Sequence, residues 1–261
     1  LADAEISGTE ANISMLGGVQ ELQTAITSLG GSPLMPLLLR LLLRELEVVR
    51  ETDAPEIRNL IVGCLRGATR GSVWIESVNM LDESRSILGD AEPKCYGLFS
   101  EVARTSGFES VVRSAALDGA FRWSIELRAR QIKLLDLLLD ISPGDDPLFL
   151  AHAAKICGVT YSHLRERALI DKLLCWAELE EASDEACFEL GMAKLLDCLE
   201  SRDRASALNS LSGAKYWFDR AGMAREHRPD AHLYSACVNL LVLFFRGDGS
   251  VGRVETAIDE M

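Results

Sequence analysis

The sequence predicts an all-α protein, built as an α-solenoid or as an irregular array of antiparallel helix pairs. Three observations support this fold class. Leucine occurs 41 times, against 27 for valine and isoleucine together, and unbranched leucine loses little rotamer freedom in a helix, whereas β-branched residues favour strands. From Leu34 onward, apolar residues recur at helical spacing in one segment after another. Strand-like alternation and hairpin turns are nearly absent.

Breaks in this pattern divide the chain into three regions. Residues 1–33 are rich in Ala, Gly, Ser and Thr, and we expect an N-terminal helix and a linker that ends in Gly30-Gly-Ser-Pro33. The segment 142–147 places two prolines around a Gly-Asp turn, which predicts a boundary between an N-terminal helical region, 34–141, and C-terminal helical pairs, 147–261. The predicted helices lie near 34–51, 54–67, 72–88, 95–105, 108–118, 120–140, 147–157, 161–181, 184–200, 204–224, 229–246 and 251–261.

The start of the second of these helices carries a local signal. Asp53-Ala-Pro-Glu56 resembles a capping box, in which the Asp53 carboxylate accepts first-turn amides and Glu56 reaches back to the amide of Asp53. Pro55 falls in the first turn, where its missing N–H costs no hydrogen bond. The segment therefore predicts a helix that begins at about residue 54.

The helix over 34–51 is predicted to be central. Arg40, Arg44, Glu47 and Glu51 fall within a band of about 60° on its circumference, and, Glu45 aside, the rest is mostly apolar. A polar stripe this narrow indicates neighbouring helices on most sides. A helix that lies in a membrane interface has a wide polar face instead.

The C-terminal region repeats a spacing of small, large and small residues, four and then three positions apart. The two copies are Ala214, Phe218 and Ala221, and, on the helix before, Gly191, Leu195 and Cys198. Small residues let one helix lie close to the next, while the large side chain fills the groove between them. This pattern, followed by Pro229, resembles the second helix of a tetratricopeptide repeat, although the copies are 23 residues apart. The resemblance covers 184–261 and implies a helical-repeat scaffold that binds proteins or peptides.

Composition bounds the surroundings and partners of the chain. The net charge of -13 disfavours a nucleic acid as the main partner, because phosphate backbones are bound by basic surfaces. Seven cysteines without a CxxC spacing predict small buried hydrophobes in a reducing compartment. The nearest approach to a membrane segment, 34–49, is too short and too charged to span a membrane. We expect a soluble, cytoplasmic protein without a signal peptide, and the missing initiator Met suggests a piece excised from a longer chain.

No motif predicts catalysis, a cofactor or a metal. Gly247-Asp-Gly-Ser-Val-Gly252 spells a dinucleotide-binding turn, but it follows an apolar run with helical spacing, so a plain turn between two helices is favoured. The four histidines lack helical metal-ligand spacing, and a nucleophilic pair such as Cys157 with His163 has no oxyanion site or activating partner nearby in sequence. The chain is therefore predicted not to be an enzyme.

Two features of the C-terminal region are candidate partner-binding elements. The first is an acidic run that includes Glu180, Glu181, Asp184 and Glu185, which is either a solvated helix start or a surface that recruits a basic peptide. The second is Tyr216, which points away from the stripe predicted to face the paired helix, formed by Leu211, Ala214, Phe218 and Ala221. Tyr216 is either covered by the next helices of the array or an exposed aromatic anchor for a partner. Trp217 lies between the two faces.

The sequence predicts a protein–protein interaction or scaffold module with no catalytic site of its own, and its expected partner is a protein or peptide. The alternative is the helical-repeat sensor or regulatory region of a larger multidomain signalling or defence ATPase. These two functions differ in whether a nucleotide-binding or effector domain is encoded beside the segment.

Overall fold

The structure of the protein is a computed structural model, and it describes residues 19–29, 32–48, 54–68, 70–125, 127–179, 183–223 and 229–246. Helices account for 86% of these residues, and this part of the chain contains no strand. The prediction of an all-α, multi-helix array is therefore confirmed. No helix within the described ranges is long and apolar enough to cross a membrane.

The described helices fall into two compact units, residues 1–126 and residues 127–261. The first unit contains α1 (Val19–Leu29), α2 (Met35–Val48), α3 (Ala54–Gly67), α4 (Gly71–Glu83), a 3-10 turn (Arg85–Ile87), α5 (Ala91–Arg104) and α6 (Ser110–Ser124). The second contains α7 (Arg128–Asp140), α8 (Pro147–Leu164), α9 (Arg167–Ala177), α10 (Ser183–Glu200), α11 (Arg204–Gly222) and α12 (Pro229–Arg246).

The first unit is built around an aromatic core. Helices α5 and α6 pack on each other, α4 lies against α6, and α3 contacts α1, α2 and α5. Phe99 lies between the rings of Trp74 and Trp123, with centroid distances of 6.3 Å and 5.0 Å in edge-on geometry. The indole N–H of Trp74 donates to the Ala68 carbonyl, and that of Trp123 donates to Asp82. The large apolar rings are thus buried without leaving these two polar atoms unpaired.

The second unit is a succession of packed neighbours. α8, α9 and α10 contact one another, α10 packs on α11, and α11 packs on α12. The predicted stripe of α11 faces this packing, because Leu211, Ala214, Phe218 and Ala221 are all fully buried. The ring of Phe218 stacks on Tyr234 of α12, with centroids 5.4 Å apart. Successive helix pairs of this kind agree with a helical array.

The break at 142–147 is a loop that starts α8, and it lies inside the second unit. Asp146 caps α8 by accepting the amides of Leu148 and Phe149 at 2.9 Å and 3.4 Å. The two compact units divide earlier, after residue 126, because α7 packs on α8 and α9. The contacts therefore assign α7 to the C-terminal helices, whereas the predicted boundary placed its residues in the N-terminal region.

Two glycines that coincide with predicted helix breaks lie inside helices. The expected break near residue 119 is wrong, because α6 continues to Ser124, and the expected end of a helix at 157 is wrong, because α8 continues to Leu164. A Cβ on Gly119 would lie 2.9 Å from the ring of Phe99, and a Cβ on Gly158 would lie 2.6 Å from Cδ of Glu189. These glycines allow close approach of neighbouring helices rather than ending their own helix.

Helix α2 is less enclosed than its polar stripe predicts. It packs on α3 and α4 through Leu39, Leu42 and Leu43, which are buried. Leu37 and Leu41, however, are exposed beside Arg40 and Arg44. The prediction of neighbours on most sides is therefore wrong, because the helical wheel records which residues are polar and does not record how many helices are present to cover the others.

Several sequence predictions lie outside the described residues. They are the Gly247–Gly252 turn, the helix near 251–261 and the Asp53 end of the capping box. The helix that the capping box predicts does begin at Ala54, with Pro55 in its first turn.

Candidate functional site

The face of α11 that points away from its paired helix presents an aromatic pair, Tyr216 and Trp217. Tyr216 is 57% exposed, so no described helix covers it, and Trp217 is half-buried. The two rings meet edge-on with centroids 4.9 Å apart. Of the two positions predicted for Tyr216, the structure has the exposed one.

Arg220 positions Trp217. Its guanidinium lies over the Trp217 ring, 5.6 Å from the centroid, and its Nη2 donates to the carbonyl of Ala177 at 2.8 Å. Ala177 is the last residue of α9, so this contact ties α11 to the C-terminal end of α9. The cation over the ring and the backbone hydrogen bond together hold the indole in one orientation.

Trp217 lines a pocket that α8, α9, α10 and α11 enclose, and we call it the α8–α11 pocket. Its volume is about 410 Å³, which is in the range of small ligand sites. Its lining combines apolar, acidic and basic side chains: Tyr161, Arg165, Arg167, Ile170, Asp171, Leu174, Leu190, Lys194, Asp197 and Trp217.

Asp197 is a shared acceptor in this lining. One of its oxygens accepts the Tyr161 hydroxyl at 3.1 Å, and the other accepts the Nζ of Lys194 at 3.0 Å. Burial of the phenol, together with the nearby Asp197 carboxylate, raises the pKa of Tyr161 above its ordinary value. Tyr161 therefore stays a neutral donor, and Asp197 and Lys194 largely neutralise each other.

Arg165 stands out by both its backbone and its side chain. Its φ of 56° and ψ of 27° place it in the left-handed region, where its amide donates to the Tyr161 carbonyl at 2.9 Å and ends α8. The guanidinium lies 5.5 Å from the centre of the Tyr161 ring, and its Nη2 donates to Glu200 at 2.5 Å. Its Nη1 is buried and has no hydrogen-bond acceptor among the residues that the structure describes. Non-glycine residues in this conformation are uncommon and often occur at functional sites.

Arg167 and Asp171 are the two charged lining residues that make no ion pair with any residue that the structure describes. Both are exposed, and they lie one helical turn apart at the start of α9. One uncompensated base and one uncompensated acid therefore lie at the edge of the pocket.

The acidic run does not contribute to this pocket. Glu180 and Glu181 lie outside the described residues, whereas Asp184 and Glu185 are half-buried in the first turn of α10. Glu189, which follows on the same helix, is buried against Gly158. The structure thus brings Trp217 together with Arg165, just after α8, with Arg167 on α9 and with Lys194 on α10. Neither Tyr216 nor Asp184, Glu185 and Glu189 of the acidic run line this pocket.

Sequence reasoning missed Arg165, Arg167 and Lys194. The first two stand in the segment Tyr161-Ser-His-Leu-Arg-Glu-Arg167, where a helix end is visible only as a change from apolar to charged residues. A pocket lined by residues from 161 to 217 has no local signature, because its members meet only through helix packing.

The Cys157 thiol and possible metal ligands are the other groups with a chemical role to consider. Cys157 is buried, its thiol donates to the Leu169 carbonyl at 3.5 Å, and burial raises its pKa, so it stays protonated. Within the described ranges, no group of three or more His, Cys, Asp or Glu side chains is placed to hold a metal ion. A scan against protein-family models finds no match to the chain, and searches of the curated proteins and of the solved structures find none either.

Proposed function

We propose that the second unit is a protein-interaction module, which binds a peptide segment of a partner across the aromatic pair and the α8–α11 pocket. The observation that carries this proposal is the exposed Tyr216 beside Trp217, which itself lines the pocket. Tyrosine, tryptophan and arginine are the residues most enriched at interface hot spots, and all three meet at this surface.

Tyr216 lies outside the lining of the pocket, so a ligand that contacts both must extend beyond the pocket. The pocket admits one or two side chains, and Tyr216 extends the contact surface beyond its edge. Because Arg220 holds the indole of Trp217, little side-chain entropy remains to be lost when a partner binds there. Aromatic contacts that are fixed before binding, next to a pocket that can take a side chain, suit the recognition of a peptide.

The proposal includes a scaffold of the tetratricopeptide-like kind and a cytoplasmic location. The repeated small, large, small spacing supports the first, because a Cβ on Gly191 of α10 would lie 2.6 Å from Cε1 of Phe218 on α11. The two copies of the pattern therefore pack against each other.

The seven cysteines support the cytoplasmic location, since none of them forms a disulfide.

Selection of short peptides from a random displayed library, with the full chain as bait, tests this function. We expect the selected peptides to bind the chain and to lose affinity for Tyr216→Ala by about tenfold or more, the loss of a typical aromatic hot spot. Phe244→Ala is the matched control: Phe244 is also aromatic, is 78% exposed, and meets Phe245 edge-on, but it lies on α12 and does not line the pocket. If the peptides bind Tyr216→Ala and Phe244→Ala with the same affinity as the parent chain, the interaction does not involve Tyr216, and the proposal is contradicted.

A further inference from the structure

We infer that the partner segment is acidic, and that a side-chain carboxylate of it binds at the α8–α11 pocket beside Arg165 and Arg167. This inference rests on the proposed function and adds the chemistry of its ligand. The acidic run between residues 178 and 189 points to a basic partner. This inference gives the partner segment a negative charge instead, because the residues that line the pocket with Trp217 include three bases.

Arg167 supplies the open positive charge. It is exposed, lines the pocket, and makes no ion pair with any described residue, so its guanidinium keeps all of its donors for a ligand. A guanidinium binds a carboxylate through two parallel hydrogen bonds, which sets orientation as well as strength. Arg167 is therefore the first contact that an acidic side chain meets at the edge of the pocket.

Arg165 supplies a second positive charge nearby. Its Nη2 is engaged by Glu200, but its buried Nη1 lacks an acceptor, and a polar atom without a partner is unfavourable. Nη1 itself is closed to solvent, so a ligand carboxylate in the pocket interacts with the positive charge of Arg165 and with the accessible part of its side chain, which is 32% exposed. The left-handed backbone at Arg165 ends α8 at the edge of the pocket, so the guanidinium follows directly on the helix that carries Tyr161.

The acids of the lining limit the ligand to a single negative charge. Asp197 is already engaged by Tyr161 and Lys194, so it neither attracts a basic ligand strongly nor repels an acidic one. Asp171 makes no ion pair with a described residue, and its charge opposes an anion. Glu200 already pairs with Arg165, and Asp197 already pairs with Lys194. Among the described lining residues, the guanidinium left open is that of Arg167, and a single cation matches a carboxylate better than a doubly charged phosphate.

The rest of the lining selects an apolar neighbour for this carboxylate. Ile170, Leu174 and Leu190 line the pocket with Trp217, and burial of an apolar side chain among them adds affinity that does not depend on salt. We therefore expect an acidic residue close to an apolar residue in the bound segment.

The test uses fluorescently labelled short peptides with acetylated and amidated ends, so that side chains are the only source of carboxylates. One peptide from the selection above is synthesised in versions with Glu, Gln, Lys or phosphoserine at each position, and binding to the full chain is measured by polarisation. We expect one position at which Glu binds more tightly than Gln by about 2- to 5-fold, and Lys more weakly than Gln.

Three variants assign that preference to the pocket. Arg167→Gln is expected to abolish the preference for Glu over Gln, whereas Asp171→Asn is expected to strengthen binding of the Glu peptide by about 2-fold, since it removes an opposing charge. Arg202→Gln is the matched control, because Arg202 is an exposed base of the same unit that does not line the pocket. It should leave the preference unchanged.

The outcomes separate this inference from the function on which it rests. Peptides that depend on Tyr216 but prefer Lys, or show no preference between Glu and Gln, would overturn the acidic ligand and leave the interaction module intact. Tighter binding of phosphoserine than of Glu would overturn the carboxylate. Binding that ignores Tyr216 would contradict the proposed function itself. An effect of Arg202→Gln equal to that of Arg167→Gln would assign the preference to general charge and overturn the site.

Discussion

Tyr216 is the single residue on which the proposed surface depends most. Its side chain is more than half exposed, and its ring meets that of Trp217 edge-on. Replacement of an exposed side chain changes stability little, unless a buried contact is lost with it.

Tyr216→Ala is therefore expected to lower the free energy of unfolding by less than about 1 kcal/mol, mainly through loss of the aromatic contact. Urea denaturation followed by circular dichroism measures this. A loss of about 2 kcal/mol or more would indicate that Tyr216 is covered in solution, and would remove it as a contact residue.

Arg165 combines a side chain that lines the pocket with a backbone conformation that is unfavourable for a non-glycine residue. Arg165→Gly should be more stable than Arg165→Ala by about 1 kcal/mol, because both lose the guanidinium contacts and only glycine adopts a φ of 56° without strain. Thermal unfolding of the two variants measures the difference. Equal stabilities would mean that Arg165 does not keep this backbone conformation in solution.

Buried thiols make the protein sensitive to alkaline pH. Burial raises the pKa of Cys64 and of Cys95 to about 12, from an ordinary value of 9.0. Between these values the unfolded chain has lost the thiol proton that the folded chain keeps, so stability is fully present below pH 9 and falls as the pH rises toward 12. In this range, each such thiol lowers the free energy of unfolding by up to about 1.4 kcal/mol per pH unit.

Cys64→Ala should flatten this fall, which denaturation curves recorded at successive pH values above 8 would show. Cys175→Ala is the matched control, because the Cys175 thiol is exposed in the folded chain. The same slope in Cys64→Ala and in the parent chain would contradict the burial of Cys64.

At the scale of helices, glycines decide how closely neighbours approach. Gly191 lets α10 lie against Phe218 of α11, and Gly158 lets α8 lie against Glu189 of α10. Helix propensity alone disfavours glycine by about 1 kcal/mol relative to alanine. Packing outweighs propensity at these positions because the neighbouring side chains are buried and cannot withdraw.

Gly191→Ala is accordingly expected to destabilise the protein by about 1–3 kcal/mol, since its Cβ would lie 2.6 Å from the fully buried ring of Phe218. Gly97→Ala is the matched control within α5, where a Cβ meets nothing within 4 Å, and it should stabilise by about 0.5–1 kcal/mol. Chemical denaturation compares the two. The two variants should change the free energy of unfolding in opposite directions. If Gly191→Ala stabilises the protein, α10 and α11 are further apart in solution than in the structure.

At the scale of the whole molecule, the described chain is two helical units, each with its own buried aromatic core. The far-ultraviolet circular dichroism of the full chain is expected to show well over half of the residues as helix and no appreciable sheet. A sheet content above about one fifth, near the globular average, would contradict the fold class.

Local patterns in the sequence determined the fold class, most helix positions and the buried stripe of α11. Leucine content, capping residues and the spacing of Leu211, Ala214 and Phe218 act within one or a few helical turns, so a reader of the sequence sees them directly.

Only the tertiary structure decided the exposure of Tyr216, the open face of α2, the continuation of α6 and α8 through Gly119 and Gly158, and the basic lining of the pocket. Each of these depends on which helices are neighbours. The periodicity of a helix shows which residues share a face, but whether a second helix covers that face is set by packing between residues as far apart in sequence as Tyr161 and Trp217.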